Sequence, residues 1–403
     1  MIRSVVAMLL LLLPAVAAHG QPIESFDSFI AHFEAKALAA GISHETYQAA
    51  MVGLTPDPGT PELVSAQPEF TTTMWDYIDL RASPRRITNG KAAMEPNAPL
   101  FAAIGERYGV DPHLLGAIWG IETNYGSVLG DTSIIRPIVR SLATLVHQRR
   151  SRLEGDEADL IGALQLVQRG PLDAQHLVGS WAGAIGHLQV NPSNVVKYGT
   201  DGDGDGQVDL QNSLADALAT SAVYLLGLGY QTGVPCSMEV AVPDGFDYLL
   251  ADRTQMRPVS FFAQRGIARV GGQAFADPDM PVFLYVPAGK DGPKFLMTQN
   301  YLVLKGYNQS DSYAMAVAHL SDRLGGGGAF ADDWPRETQF PNISERKAIQ
   351  QALIDLGFYK GEVDGRIGPI SQQAYAQFQA SRGEVADGFI TKASYEELIA
   401  AKP

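Results

Sequence analysis

The sequence predicts a mainly α-helical protein of two domains joined by a linker. Helical periodicity dominates from Ile23 to about Leu226, and strand signals are sparse. Four consecutive glycines at residues 325–328 are followed by a polar stretch with two prolines, which is the composition of a linker. A chain of 403 residues is also longer than a single domain usually is. We therefore expect a large helical domain, a linker at residues 326–342 and a small C-terminal module.

Residues 1–18 are expected to be a secretory signal peptide. Arg3 precedes the apolar run of residues 5–13, and small residues that suit a cleavage site follow at Ala15, Ala17 and Ala18. The run is shorter than the roughly 20 residues that span a bilayer, and an uncleaved anchor is the alternative. No cysteine follows the run, so we expect no lipid attachment there and, after cleavage, no transmembrane segment.

The later part of the large domain gives weaker signals. Residues 238–285 are mixed, and residues 282–286 are compatible with a short strand. Residues 311–324 have the periodicity of a helix. We therefore expect one short strand before the closing helix of this domain.

Residues 343–403 are predicted to form a three-helix module. Apolar stripes at helical spacing indicate the helices: Ile349, Ala352, Leu353 and Leu356; Ile370, Ala374 and Phe378; Tyr395, Leu398 and Ile399. Turn sequences at residues 363–365 and 386–388 separate them. Gly357 stands where a C-cap glycine would end the first helix.

Charge and cysteine content exclude one functional class and one kind of stabilisation. The formal net charge is −14, whereas binding to phosphates needs basic patches, so nucleic acid is not an expected partner. Hydrophobic residues make up 46% and charged residues 18% of the chain, which is typical of a soluble globular protein. Cys236 is the only cysteine, so no disulfide forms within the chain, and packing, with or without a metal, must stabilise it.

Glu122 is the candidate catalytic residue. At helical spacing, Leu115, Ile118, Trp119 and Glu122 share one face of a helix, so the carboxyl lies on the side that seeks the core. We expect the low dielectric there to raise its pKa, which keeps a glutamate protonated near neutral pH and able to protonate a leaving group. The alternative is a structural glutamate paired with a buried arginine or a backbone amide.

Residues 179–193 are a second candidate segment because they are rich in small residues. Glycine and alanine let the backbone approach a neighbouring helix or a flat ligand such as a sugar ring. Trp181 adds a stacking face and Gln189 an amide, which are side chains that bind carbohydrate but are also common in cores. Tight helix packing is the alternative interpretation.

Residues 201–212 match the pattern of a structural calcium loop. Acidic side chains at positions 1, 3, 5 and 9, a backbone carbonyl at position 7 and a glycine at the turn supply hard oxygen ligands. The predicted ligands are Asp201, Asp203, Asp205, Gln207, Asp209 and Asn212. Position 12 is Asn212 where a glutamate is usual, so we expect weaker binding. An acidic surface turn without metal is the alternative.

Taken together, these motifs resemble the membrane-bound lytic transglycosylase B family. Residues 120–126, 179–193 and 201–212 match its motifs in order and spacing, and residues 300–314 look like its final segment. The resemblance covers most of residues 25–325, and it is specific because four separate segments agree.

The C-terminal residues carry a second resemblance. Residues 343–400, through the segments 356–359 and 363–369, resemble the helical peptidoglycan-binding module that is often fused to such enzymes. The two resemblances imply peptidoglycan glycan strands as the substrate and cell-wall synthesis or remodelling proteins as partners. With the signal peptide, they imply a soluble or wall-associated protein in the periplasm of a Gram-negative bacterium.

The family resemblance implies a lysozyme-like (α+β) helical catalytic domain that cleaves the β-1,4 bond between MurNAc and GlcNAc without water. The glutamate matching Glu122 would protonate the glycosidic oxygen and then remove the proton of the MurNAc 6-hydroxyl, which forms a 1,6-anhydro end. Ser180 and Gln189 would line the subsite beside the scissile bond, and Tyr307 and Asn308 would help to close it. The reaction needs no cofactor, and calcium would be structural.

Two departures from the family pattern and two rival functions stand beside this interpretation. His187 and Leu188 replace the Tyr-Gly of many relatives, which is expected to alter substrate contacts, and Asn212 replaces an acid.

The rivals are a lysozyme-type hydrolase that uses the same glutamate with water, and a non-catalytic wall-binding or scaffold protein. An ordinary glycosidase uses two carboxylates, and no convincing second one lies near Glu122 in the sequence.

Overall fold

The computed structural model describes residues 24–59, 72–149 and 153–401, and the predicted signal peptide lies outside these ranges. Within them the architecture is mainly α-helical, as predicted, with one five-stranded sheet and one two-stranded ribbon. In these ranges no helix has both the length and the apolar composition needed to cross a membrane.

The first part of the large domain is helical. Its helices are α1 (Phe26–Ala39), α2 (His44–Met51), α3 (Met74–Arg81), α4 (Pro84–Met94), α5 (Ala98–Tyr108) and α6 (Pro112–Thr123). All but α5 begin after a residue whose side chain accepts a backbone N–H of the first turn, namely Ser25, Ser43, Thr73, Ser83 and Asp111. Such caps satisfy amide groups that have no partner inside the helix, so the sequence specifies these helix starts locally.

The middle part contains a short ribbon and four more helices. Its elements are β1 (Arg136–Pro137), α7 (Ile138–Gln148), α8 (Leu153–Arg169), β2 (Val178–Gly179), α9 (Pro192–Tyr198) and α10 (Leu214–Gly227). The strands β1 and β2 are antiparallel, with Arg136 opposite Gly179. This pairing fixes the start of the segment that follows β2 against the start of α7.

A five-stranded antiparallel sheet follows α10. Its strands are β3 (Ser237–Ala241), β4 (Arg257–Pro258), β5 (Ala268–Arg269), β6 (Pro281–Tyr285) and β7 (Phe295–Met297), in the order β4-β6-β7-β3-β5, with the short helix α11 (Val259–Ala263) after β4. The predicted strand at residues 282–286 is confirmed as β6, where residues 282–285 are all buried. The strand β3 alternates over its five residues, with Met238 and Val240 buried, whereas β4, β5 and β7 have only two or three residues, too few to show a pattern.

Two helices close the large domain, α12 (Gln299–Tyr307) and α13 (Asp311–Leu324), and the predicted closing helix is confirmed with the same bounds. The helix α13 packs along α6. Tyr313 at the start of α13 contacts Glu122 at the end of α6. At the other end of the pair, Asp111 before α6 lies close enough to Asp322, near the end of α13, for its charge to raise the pKa of Asp322. The two helices are therefore antiparallel.

The C-terminal module has the three predicted helices, α14 (Ile343–Asp355), α15 (Pro369–Ser381) and α16 (Lys392–Ala400). Gly357 follows α14 with φ +85°, as predicted for a glycine that ends a helix. Two members of the predicted apolar stripes are exposed, Ile370 at 64% and Ile399 at 39%. They lie in the first turn of α15 and the last turn of α16, so these helix ends extend beyond the small core of the module.

The predicted linker at residues 326–342 is packed against the large domain. The Trp334 ring is 9% exposed and lies near the rings of Trp75 and Phe295. The Phe330 ring stacks on the buried ring of His319, a residue of α13, with 3.9 Å between the ring centroids. Aromatic side chains therefore hold a segment that its glycine and proline content alone would describe as flexible.

The contact between His319 and Phe330 predicts a pH-dependent stability. Burial, followed by the charge of Arg323, lowers the pKa of His319 from 6.5 to about 4. Because the folded-state pKa is depressed, the neutral ring contributes its stability above pH 6.5, and this is lost as the pH falls towards 4. The shift corresponds to at most about 3 kcal/mol.

The measurement is urea unfolding of the native chain and of His319→Leu at pH 7 and pH 4. The native chain should lose more stability over this interval than the variant, because carboxyl groups that titrate in the same range are common to both. Equal losses in the two proteins would contradict the role of His319.

Candidate active site

The stripe that led to Glu122 occurs on α6 as predicted. Leu115 and Ile118 are fully buried, and Trp119 is 4% exposed. Glu122 lies in the last turn of the same helix and is half-buried. Its carboxyl therefore stands where the apolar face of α6 meets an accessible surface.

The chain leaves α6 through a tight turn. Asn124, Tyr125 and Gly126 all have positive φ, at +49°, +59° and +79°. The Thr123 hydroxyl accepts the Gly126 N–H at 3.0 Å, which closes the turn. Asn124 adopts this conformation as the C-cap of α6, which is common for asparagine. Tyr125 seldom adopts it, so the turn after Glu122 is locally strained at this residue.

The Tyr125 side chain anchors this turn to α4. Its hydroxyl donates to the Arg86 carbonyl at 3.0 Å, and the Arg86 guanidinium donates to the Gly120 carbonyl. A Cβ atom on Gly120 would lie 2.6 Å from the Tyr125 ring, and one on Gly90 would lie 2.3 Å from its hydroxyl. The two glycines thus make the space in which the ring packs between α4 and α6.

Two tyrosines lie near the Glu122 carboxyl, and one of them is bonded to it. The Tyr313 hydroxyl donates to Glu122 Oε1 at 2.6 Å. Burial, and after it the negative charge of Glu122, raises the pKa of Tyr313 and that of Tyr307 well above the usual value. Both phenols therefore remain protonated at neutral pH, and Tyr313 acts as a hydrogen-bond donor to the carboxyl.

The segment after β2, residues 180–190, folds into a compact loop that we call the glycine loop. Ile185 and Val190 form an antiparallel bridge. The Ser180 hydroxyl accepts the Ala184 N–H at 3.2 Å, and the Gln189 amide donates to a carbonyl of its own loop, that of residue 186, at 2.9 Å. Gln189 has φ +51°, so it is a second strained non-glycine position near the site.

The glycine loop is bound to α6 and to α12 by three hydrogen bonds. The Thr123 hydroxyl donates to the His187 carbonyl at 2.7 Å, and Trp119 Nε1 donates to His187 Nδ1 at 3.0 Å. The Tyr307 hydroxyl donates to the Leu188 carbonyl at 2.6 Å. Glu122, the glycine loop and the end of α12 therefore form one continuous site. The departures at His187 and Leu188 lie in these contacts, and burial lowers the pKa of His187, which favours its neutral, accepting form.

The predicted site residues are brought together to different extents. Tyr307 lies close enough to Glu122 for the charge of the carboxylate to raise the pKa of the Tyr307 phenol. Gln189 follows directly on Leu188, the residue that Tyr307 contacts. The Asn308 side chain accepts the Ser310 N–H at 3.1 Å and so shapes the turn between α12 and α13. Ser180 lies at the opposite end of the glycine loop from Gln189.

The predicted calcium loop brings together three of its four predicted aspartate ligands. The carboxylate oxygens of Asp201, Asp203 and Asp205 lie within 4.8 Å of one another, as a metal ion would require. Asp209 instead accepts the Asn212 side-chain amide at 2.8 Å, so these two residues pair with each other. The three clustered carboxylates fit a hard divalent cation.

Sequence reasoning missed Asp216, which fixes the calcium loop from outside it. Asp216 is 1% exposed and lies in the first turn of α10. Its two carboxylate oxygens accept the N–H of Gly202 and that of Asp209, both at 2.7 Å. The start and the end of the loop are thereby held together by one buried side chain.

Sequence reasoning also did not assign Tyr313 or Thr123 to the site. Tyr313 lies within the family-like segment 300–314, which is the one signal that pointed towards it. Its partner Glu122 is 191 positions away, so the pairing could be found only from the fold.

The fold of this chain is similar to that of lytic transglycosylases of known structure. SltB3 of Pseudomonas aeruginosa, in complex with NAG-anhNAM-pentapeptide, is 38% identical with a TM-score of 0.86, covering 93% of this chain and 100% of that one. Its complex with NAG-NAM-pentapeptide matches with the same values. These structures confirm the predicted lysozyme-like fold class.

The chain belongs to the transglycosylase SLT domain family, whose model matches residues 25–322. A putative peptidoglycan binding domain matches residues 342–398. The membrane-bound lytic murein transglycosylase B of Escherichia coli (strain K12) is 28% identical over 247 residues, which are 60% of this chain and 64% of that protein. The chain thus spans about 64% of the length of this curated relative.

The packing of the glycine loop predicts a steric requirement at Gly186. Its φ is +72°, and a Cβ atom there would lie 2.0 Å from the Leu210 carbonyl oxygen. Gly245 has a similar φ of +74° but open space around it. Gly186→Ala should therefore destabilise the protein by about 2 kcal/mol more than Gly245→Ala, because overpacking is added to the backbone strain that both share. Equal unfolding midpoints for the two variants in urea would contradict the close approach.

Proposed function

We propose that this protein is a lytic transglycosylase that cleaves the β-1,4 bond between MurNAc and GlcNAc in peptidoglycan and leaves 1,6-anhydroMurNAc ends. The observation that carries the proposal is the Glu122 carboxyl held by Tyr313 at 2.6 Å beside the glycine loop. The family membership and the ligand named for SltB3, an anhydro-muropeptide, support it.

In this mechanism one carboxyl serves both steps. Tyr313 donates to Glu122 Oε1, so a protonated carboxyl carries its proton on Oε2. Transfer of that proton to the glycosidic oxygen breaks the bond to the MurNAc anomeric carbon and releases the GlcNAc 4-hydroxyl. The oxygen of the MurNAc 6-hydroxyl then bonds to the anomeric carbon, and the Glu122 carboxylate takes the proton of that hydroxyl. The acid is thereby regenerated, and no water is consumed.

The cycle with one carboxyl is supported by the hydrogen bond that Tyr313 donates to Glu122 and by the anhydro-muropeptide named for SltB3. Hydrolysis with two carboxylates would require a second one. A second catalytic carboxyl would lie about 5 to 10 Å away. Tyr313 contacts the Glu122 carboxyl, and Tyr307 lies close enough for the charge of Glu122 to raise its pKa. The Tyr313 hydroxyl is the donor that stabilises the carboxylate formed after the first proton transfer, whereas the Tyr307 hydroxyl donates to the Leu188 carbonyl.

We assign the subsite beside the scissile bond to Ser180 and Gln189, with Tyr307 and Asn308 closing it. The support is positional: the glycine loop carries the first pair, and its bond to Tyr307 connects that pair to the turn that Asn308 shapes. The C-terminal module would hold glycan strands near this site. Export to the periplasm follows from the signal-like residues 1–18, and recruitment by proteins of cell-wall synthesis would follow from that location.

Replacing Glu122 by Gln tests the catalytic assignment. Gln keeps the size and a hydrogen-bonding carbonyl but cannot donate a carboxylic proton, so kcat should fall at least about 100-fold. Glu106→Gln, an exposed acid on α5, should retain full activity and serves as the matched control. Mass spectrometry of digested wall should show anhydro ends for the native chain. Reducing ends would indicate a hydrolase, and unchanged lysis by Glu122→Gln would indicate a binding or scaffold protein.

We also propose that the calcium loop binds a structural calcium ion. Backbone N–H groups of Gly206 and Gly204 lower the pKa of Asp201, so its carboxylate is ionised and able to act as a ligand. Asp203 and Asp205 would complete the acidic face of the site, and the ion would neutralise three neighbouring negative charges.

Calcium should raise the thermal unfolding midpoint of the native chain. At 100 times the dissociation constant the gain would be about 2.7 kcal/mol. Asp205→Asn should remove most of this gain, whereas Asp277→Asn, an exposed acid in another turn, should keep it. Coincident unfolding curves with calcium and with chelator would show that the loop is an acidic turn without a metal.

A further inference from the structure

Arg253, between the sheet strands β3 and β4, is a buried cation that the proposed mechanism does not use. Its side chain is 9% exposed, and its Nη2 group lies 2.7 Å from Asp311 Oδ1. The guanidinium also lies over the Tyr285 ring of β6, 4.1 Å from the ring centroid. Among the described residues its Nε atom has no hydrogen-bond partner. A buried charge with an unsatisfied donor is a weak source of stability, which indicates another reason for its position.

Asp311 is the first residue of α13, the helix that presents Tyr313. Its carboxylate also accepts the Tyr301 hydroxyl at 2.7 Å and the Lys305 ammonium at 2.8 Å. Burial opposes its charge, but Arg253 and Lys305 hold the pKa of Asp311 below the usual value, so it is ionised at neutral pH. The first turn of α13 is thus fixed by charged hydrogen bonds.

The three donors to Asp311 come from two parts of the fold. Tyr301 and Lys305 both belong to α12, which leads directly into α13. Arg253 comes from the sheet region, so its bond connects α13 to β6 and not only to the preceding helix. The Ser310 side chain caps the same turn by accepting the Tyr313 N–H at 3.3 Å, and Arg253 adds a contact from outside the two helices to a helix end, where fraying begins.

The C-terminal module covers the outer side of Arg253. The Gln372 amide oxygen of α15 lies 3.4 Å from Arg253 Nη1, and the Asp387 carboxylate of the module accepts the Lys290 N–H at 2.9 Å. The module therefore reduces the exposure of the pair of Arg253 and Asp311, whose side chains are 9% and 24% exposed. In a site with less water, the attraction within this pair is stronger.

We propose that Arg253 is a positioning residue for the cleavage reaction: through Asp311 it fixes the first turn of α13, and thereby holds the Tyr313 hydroxyl against Glu122. The contacts form a continuous path from Arg253 to Asp311, along two residues of helix to Tyr313, and across 2.6 Å to Glu122. The inference rests on the proposed function, because Glu122 must be the catalytic acid for its position to affect kcat.

A double-mutant cycle with Arg253→Gln and Tyr313→Phe tests this proposal. Each single variant should lower kcat about tenfold with KM unchanged, because small displacements of a catalytic group are costly while substrate contacts remain. If Arg253 acts through Tyr313, adding Arg253→Gln to Tyr313→Phe should lower kcat no further. Losses that multiply to about a hundredfold, or a change in KM alone, would overturn the proposal.

The control is Arg257→Gln, a nearby arginine whose guanidinium lies over the Phe261 ring and which contacts Gln255, away from α13. It should leave kcat unchanged. Thermal unfolding of every variant shows whether the fold is kept, and Arg253→Lys, which retains the charge, replaces Arg253→Gln in the cycle if the latter does not fold. Glu122→Gln separates the two failures: its full activity refutes the proposed function, whereas its inactivity together with multiplicative losses refutes only the role of Arg253.

Discussion

The antiparallel contact between α6 and α13 is the constraint on which the site depends. It brings together Glu122 and Tyr313, which are 191 positions apart in the chain. The Tyr313 ring is 2% exposed, and Ile118 one turn before Glu122 is fully buried. Apolar burial therefore supplies the energy that holds a polar pair in one geometry, and the low dielectric of the same packing strengthens the hydrogen bond between them.

Strained backbone marks both edges of the site. Tyr125, in the turn after Glu122, has positive φ, and so does Gln189 in the glycine loop. Such conformations cost on the order of 1 to 3 kcal/mol each. The strain is offset by nearby contacts, since the Tyr125 ring packs against α4 and the Thr123 hydroxyl bonds to both the turn and the glycine loop. The loop and the acid are thereby fixed before any substrate arrives.

The features that could be predicted are those that the sequence encodes locally. The stripe ending at Glu122, the closing helix and the three-helix module each follow from spacing within about 15 residues, and so does the acidic cluster of the calcium loop. Tyr313 and Asp216 could not be assigned, because their roles arise from partners brought close by folding. The five-stranded sheet was missed because strands such as β7, with three residues, carry too short a pattern. The packed linker was missed because aromatic residues, rather than its glycines, decide its position.

The calcium loop bears on the site through the backbone rather than through chemistry. Its residue Leu210 has a carbonyl that accepts the His187 N–H of the glycine loop at 3.0 Å, and Gly186 approaches the same carbonyl. Asp216 already joins the two ends of the calcium loop, so much of its order does not require a metal. A weak ligand set with Asn212 at position 12 is consistent with this arrangement, because the ion would need only to relieve the repulsion among three clustered carboxylates. Asp216, which is buried, holds the calcium loop and thereby the position of the glycine loop beside Glu122.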